Sequence, residues 1–126
     1  AADQMPRVRT DHRALALVLG NLVKNGIRYS DPEKAERWVR VDARRTAPDD
    51  EQGMVLIRVE DDGIGIPEEA RPRIFERFYR AATDVPGTGL GLGLVREEVE
   101  RWGGRVWFES EEGVGTSFRF TIQAAE

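Results

Sequence analysis

The apolar residues of this chain switch between two spacings, and the order of the switches limits the fold more than any other feature. In HRALALVLGNLVKNGIRYS, Leu15, Val18, Leu19, Leu22 and Val23 recur at helical intervals as one apolar arc, with Thr10 or Asp11 as cap and SDP as stop. In WVRVDAR, Val39, Val41 and Ala43 alternate with Arg40, Asp42 and Arg44, and MVLIRVE repeats the pattern with Val55, Ile57 and Val59. These are two half-buried strands, joined as a hairpin across the polar stretch 45–53. PEEARPRIFERF predicts a short helix opened by Pro67 and anchored by Ile74, Phe75 and Phe78. A helix from Gly91 to Trp102, ended by Gly103 and Gly104, and a second hairpin of RVWFES and TSFRFTI across EEGVG complete the chain, while MPRVRTD reads as a short strand ahead of the first helix. Helix, hairpin, short helix, loop, helix, hairpin predicts an α/β two-layer sandwich with a mixed, mostly antiparallel sheet.

With 126 residues, 40% hydrophobic and 33% charged, the chain is expected to form one domain over residues 1–126. Its abrupt start, AADQMPRVRT, lacks the apolar core of a signal peptide and reads as a cut from something longer, and no run approaches the roughly 20 apolar residues of a membrane span. The net charge of −4 gives no reason to expect nucleic acid as a partner, and the absence of cysteine excludes disulfides and thiolate metal sites.

The segment GTGLGLGLV, Gly87 to Val95, opens the last helix with glycines, the usual make-up of a phosphate cradle because main-chain N–H groups reach an anion where no Cβ intervenes. A dinucleotide fingerprint fails in every register, with Leu92, Leu94 or Arg96 where its third glycine belongs, and a P-loop fails for want of Lys and Ser or Thr after the last glycine. A flexible linker fits poorly with the interleaved leucines.

Three further groups carry chemistry. Asn21, Asn25 and Arg28 share one stripe of the first helix beside its apolar arc. A single helical Asn is commonly solvated, but two on one stripe cost helix propensity for no local gain; their amide oxygens suit Mg²⁺, and Arg28 suits phosphate. EDDGIGIP, Glu60 to Pro67, is either a plain Asp-Gly turn or, with Ile64 and Ile66 between its glycines, a backbone held against a flat apolar group with a carboxylate at its edge. An ionised Asp61 only accepts hydrogen bonds and so suits an exocyclic amine such as that of adenine. In FERFYR, Phe75 and Phe78 fit core positions, and Arg77 and Arg80 are either solvated charges or phosphate clamps. The single His12 reads as a surface residue.

In this order the motifs closely resemble the catalytic, ATP-binding domain of bacterial sensor histidine kinases, in the superfamily that also holds DNA gyrase, heat-shock chaperones and mismatch-repair ATPases. NLVKNGIRYS is similar to the asparagine box, DDGIGIP to the first glycine box, FERFYR to the phenylalanine box and GTGLGLGLV to the second glycine box, with RWGGRVWFESEEGVGTSFRFTI similar to the closing strand pair. The resemblance implies a Bergerat-type ATP pocket, with helices on one sheet face and a left-handed βαβ unit. Asn21, Asn25 and Arg28 would form the catalytic set, Asn25 holding Mg²⁺ and Asn21 lying toward the triphosphate. Asp61 would take the adenine amine, with Gly63, Gly65 and Ile66 against the ring, Tyr29 flanking the nucleotide and Thr116 closing its adenine end. Arg28 and Arg80 would lie near phosphate, and Gly87, Thr88, Gly89, Leu90, Gly91 and Leu92 would wrap it.

The implied activity is transfer of the γ-phosphoryl group of Mg²⁺·ATP to a histidine on a separate helical dimerisation domain of the same protein, with a response regulator as the indirect partner, a cytoplasmic setting and a monomeric isolated domain. The acceptor-bearing hairpin is absent from the chain, and His12 does not match its motif. Arg28 stands where the family most often has Lys, and Gly26 and Gly93 stand where Ala is usual, a loss of about 1 kcal/mol each if exposed. Two rival readings are an ATPase-driven conformational switch of the gyrase type, disfavoured by an amide at Asn21 where a carboxylate would activate water, and a nucleotide-binding signalling module without kinase activity.

Overall fold

The computed structural model describes residues 11–46, 53–76 and 91–123. Helix α1, His12–Arg28, starts where Asp11 Oδ1 accepts the Arg13 N–H at 2.8 Å and ends at Tyr29. Strands β1, Val39–Arg45, and β2, Met54–Asp61, pair antiparallel with Val39 opposite Asp61 and Arg45 opposite Val55. Helix α2, Gly91–Arg101, is followed by β3, Val106–Glu111, and β4, Gly115–Gln123. The sheet order is β1-β2-β4-β3, and every strand pairing among the described residues is antiparallel. The short strand expected in MPRVRTD falls, up to Thr10, outside the described residues.

Alternation gives the sheet one covered face. Val55, Ile57 and Val59 of β2 and Phe118, Phe120 and Ile122 of β4 point to the helices and are buried, where Val18 and Leu22 of α1 and Val95 and Val99 of α2 meet them. Leu15, Leu19 and Val23 complete the α1 arc as partly buried flanks of this core. On the open face Arg58 donates to both oxygens of Asp42, at 2.9 and 2.7 Å, and Arg119 pairs with Glu109 at 3.1 Å. Val41 departs from its expected burial: it faces the helix layer opposite Val59, but at the margin of the sheet it stays 46% exposed.

Two chain punctuations behave differently. α2 stops in a Schellman arrangement, the Gly104 N–H reaching the Val99 carbonyl and the Gly103 N–H that of Glu100, both at 3.0 Å, with Gly103 at φ +79. The expected helix after Pro67 is a 3₁₀ helix over Glu68–Arg73 instead. Pro72 inside it has no N–H for an i→i−4 bond, and the tighter i→i+3 pattern appears at Ala70 to Pro67 and Glu76 to Arg73. Ile74 is buried and Phe75 packs on Phe108 and Phe118 with ring centroids 6.0 and 6.3 Å away. Phe78 and Arg77 lie outside the described residues.

Gly26 and Gly93 are both buried, so the penalty for exposed helical glycine does not apply. A Cβ on Gly26 would come 3.0 Å from Val39 Cγ2 and 3.3 Å from Asp61 Cβ, so α1 lies against the end of β2 at this point.

Phe120 is fully buried with Trp102 as a ring neighbour at 6.2 Å. Phe120→Ala is expected to lower the unfolding free energy by about 3–5 kcal/mol, read as a reduced urea midpoint by tryptophan fluorescence. An unchanged midpoint contradicts this core.

Candidate functional site

The last residue of β2 is where the elements converge. Asp61 lies opposite Thr116 of β4 and Val39 of β1, on the sheet face that α1 covers. Its Oδ1 accepts the Gly63 N–H at 2.9 Å, and its carboxylate also accepts the main-chain N–H of Thr116. Burial pushes the Asp61 carboxyl above the ordinary aspartate value, Asp62 adds to the rise, and the two N–H donors and the Lys34 ammonium act against it.

The chain leaving β2 is pressed against two other segments. A Cβ on Gly63 would collide with the Tyr29 carbonyl at the end of α1, and one on Gly115 would collide with the Asp61 carbonyl. Both positions require glycine for close approach. Ile64 donates to the Tyr29 carbonyl at 3.0 Å and accepts from Gly113 at 2.9 Å, so the loop is tied to α1 on one side and to the β3–β4 turn on the other. Gly65, at φ +80, abuts the Glu111 main chain, and the Ile66 N–H reaches Ser110 Oγ at 2.8 Å. Ser110 Oγ is also 2.9 Å from Thr116 Oγ1 and 3.2 Å from the Gly115 carbonyl.

Above this floor runs the polar stripe of α1. Asn21, Asn25 and Tyr29 are half-buried and Arg28 is exposed. Asn21 faces the start of α2, where a Cβ on Gly91 would be 3.2 Å from its Oδ1. Asn25 adjoins Gly26, which packs on Asp61. The Asn21, Asn25 and Arg28 side chains make no hydrogen bond or ion pair to another described residue. Leu92 and Ile66 pack against the core, and His12 is exposed. Arg80, Gly87, Thr88, Gly89 and Leu90 lie outside the described residues.

The donor set suits Mg²⁺ held through a nucleotide better than a resident metal cage. Among the described residues no group of three or more His, Cys, Asp or Glu side chains is placed to hold an ion, whereas a neutral amide oxygen is an adequate partner for Mg²⁺ that keeps waters and phosphate ligands.

Two participants escaped the sequence reading. Ser110 is the polar member of an otherwise apolar inward series, Val106, Phe108 and Ser110, a break in alternation that marks a buried polar contact. Lys34 sits in a charged loop that has no periodicity to single it out.

A family model described as histidine kinase-, DNA gyrase B-, and HSP90-like ATPase matches residues 10–126. The sensor histidine kinase WalK of Bacillus subtilis is 36% identical over 123 residues, covering 94% of this chain and 19% of that protein. The sensor histidine kinase AruS of Pseudomonas aeruginosa is 41% identical, covering 95% of this chain and 12% of that protein. The chain thus spans less than a fifth of the length of either relative. Among solved structures, a mycobacterial sensor histidine kinase, MprB, superposes with a TM-score of 0.78 at 28% identity, over 93% of this chain and 76% of that one. Full-length ShkA in complex with AMPPNP gives 0.75 at 32% identity, over 96% of this chain and 24% of that one.

Because burial raises the Asp61 carboxyl in the folded state, the fold binds that proton more tightly than the unfolded chain does. The stability that this contributes is complete below the unfolded carboxylate pKa, about 3.9, and is lost as pH rises through the folded value. The stability of Asp61→Asn relative to the unsubstituted chain should therefore improve as pH rises across that window. Urea midpoints measured side by side over the acid range test this, and a flat or falling difference contradicts it.

Proposed function

Because the chain belongs to the histidine kinase-, DNA gyrase B-, and HSP90-like ATPase family, we propose that it is the ATP-binding catalytic domain of a sensor protein-histidine kinase and presents Mg²⁺·ATP to a histidine on a separate helical dimerisation domain. The observation that carries this reading is Asp61: an acceptor-only carboxylate, partly buried beneath α1 and fixed by main-chain N–H groups, beside two half-buried amides on that helix. The nucleotide complex of ShkA supports the same ligand class for this chain.

In this proposal Asp61 accepts the exocyclic amine of adenine, while Gly63, Gly65 and Ile66 bring main chain and one apolar side chain against the ring. Thr116 bounds the site beside Asp61, across the β2–β4 pairing, and Tyr29 flanks the nucleotide. Asn25 offers its amide oxygen to Mg²⁺, Asn21 turns toward the triphosphate at the start of α2, and Arg28 adds positive charge. Arg80 and the run Gly87, Thr88, Gly89, Leu90, Gly91 and Leu92 supply further phosphate contacts. When bound, Mg²⁺·ATP supplies the γ-phosphoryl group and part of the charge neutralisation. These residues orient it and exclude water, with little acid–base chemistry asked of the protein.

Asn21 favours transfer over hydrolysis, because an amide cannot usefully take a proton from water. No helix among the described residues is long and apolar enough to cross a membrane. We place the domain in the cytoplasm because its nucleotide and its phosphorelay partners, the acceptor domain and a response regulator, work there.

Asp61→Asn puts an amide where an acceptor is needed, and ATP affinity measured by calorimetry should fall at least tenfold, or about 1.4 kcal/mol. Unchanged affinity removes adenine from Asp61. Mixing the purified chain with a histidine-bearing acceptor hairpin and labelled ATP should yield acid-labile phosphohistidine. Release of free phosphate alone supports an ATPase switch, and bound but unreacted nucleotide supports a signalling module.

A further inference from the structure

The connection from α1 to β1 is built as a turn that directs one lysine across the molecule. Asp31 Oδ1 accepts the Glu33 N–H at 2.9 Å and the Asp31 carbonyl accepts the Lys34 N–H at 3.2 Å, while Arg37 donates back to the carbonyls of Pro32 and Lys34 at 3.3 and 3.5 Å. From this turn the half-buried Lys34 sends its Nζ to the Asp62 carbonyl at 2.6 Å and to the Val114 carbonyl at 3.2 Å. Asp62 is held from the same connection a second time, since its Oδ1 accepts the Trp38 N–H at 3.0 Å. The two carbonyls belong to the two loops on either side of Asp61: the exit of β2 and the turn between β3 and β4. Those loops touch directly through the Gly113 N–H and the Ile64 carbonyl, so Lys34 closes a second link over the same gap.

A lysine ammonium is an unusual choice for bridging two carbonyls unless its charge is also useful. It makes charge-assisted hydrogen bonds, stronger than a neutral donor would give, and it sets a positive charge beside the paired acids Asp61 and Asp62. We propose that Lys34 is a positioning residue for the base end of the nucleotide site, holding residues 61–65 and 112–115 at the separation a purine edge needs. The proposal rests on the ATP reading given above. Lys34 acts through Asp61 and the two loops and contacts no phosphate.

The test compares the purified chain with Lys34→Met, which removes charge and donors, and Lys34→Arg, which keeps both. Urea midpoints establish that each variant is folded, calorimetry measures ATP and magnesium tripolyphosphate, and amide hydrogen exchange is followed at Ile64 and Gly113. Lys34→Met should weaken ATP about tenfold, the size of a lost charge-assisted hydrogen bond, and leave tripolyphosphate binding unchanged. It should also speed exchange at Ile64 and Gly113 without affecting the β2–β4 ladder, and Lys34→Arg should restore both properties. Equal weakening of both ligands, or unaltered ATP binding with unaltered exchange, overturns the proposal. Should the unsubstituted chain bind no ATP, the nucleotide reading falls, and exchange at the two amides alone decides whether Lys34 holds the loops together.

Discussion

The site depends on main chain touching main chain. At Gly63 and Gly115 the exit of β2 meets the end of α1 and the start of β4 with no room for a Cβ, so the position of Asp61 is set by backbone contact rather than by the choice of a side-chain rotamer. Hydrogen bonds at Ile64, Gly113 and Ile66 then fix the direction of each segment. A carboxylate mounted in this way loses little freedom when it meets a partner, which is how a site spends less of its interaction energy on ordering itself.

The sheet treats its two aspartates in opposite ways, and the difference follows from strand parity. Asp42 faces solvent beside Arg58, whose hydrogen bonds hold its carboxyl below the ordinary value. Asp61 faces the helices, where burial raises it. The first arrangement is a surface pair of modest worth, whereas the second works against folding and is offset in part by the main-chain N–H groups of Gly63 and Thr116 and by the nearby Lys34 ammonium. A group kept at such a cost is a mark of function.

Much of this architecture could be read along the chain. The arc of α1, a cap at Thr10 or Asp11, both hairpins and the stop at Gly103 and Gly104 are local patterns, and each is realised in the fold, with Asp11 as the cap. The stripe of Asn21, Asn25 and Arg28 was legible for the same reason, because one helix carries all three. What escaped depends on neighbours distant in sequence. Val41 has the right alternation but lies at a margin; the 3₁₀ segment is the exception, because Pro72 stands within it and is a local signal. Lys34 acts through loops many residues away, and Ser110 joins its own hairpin to the Ile66 N–H, 44 residues back in the sequence. Nothing in EDDGIGIP alone indicated that Gly63 is needed because of Tyr29.

The strand order has a corollary. Each hairpin is closed by residues lying wholly before Glu76 or wholly after Gly91, and among the described residues only the pairing of β2 with β4 spans the interval between them. Each hairpin's register is therefore set within its own half of the chain, and only the pairing of β2 with β4 makes one sheet of the two and brings Asp61 beside Thr116.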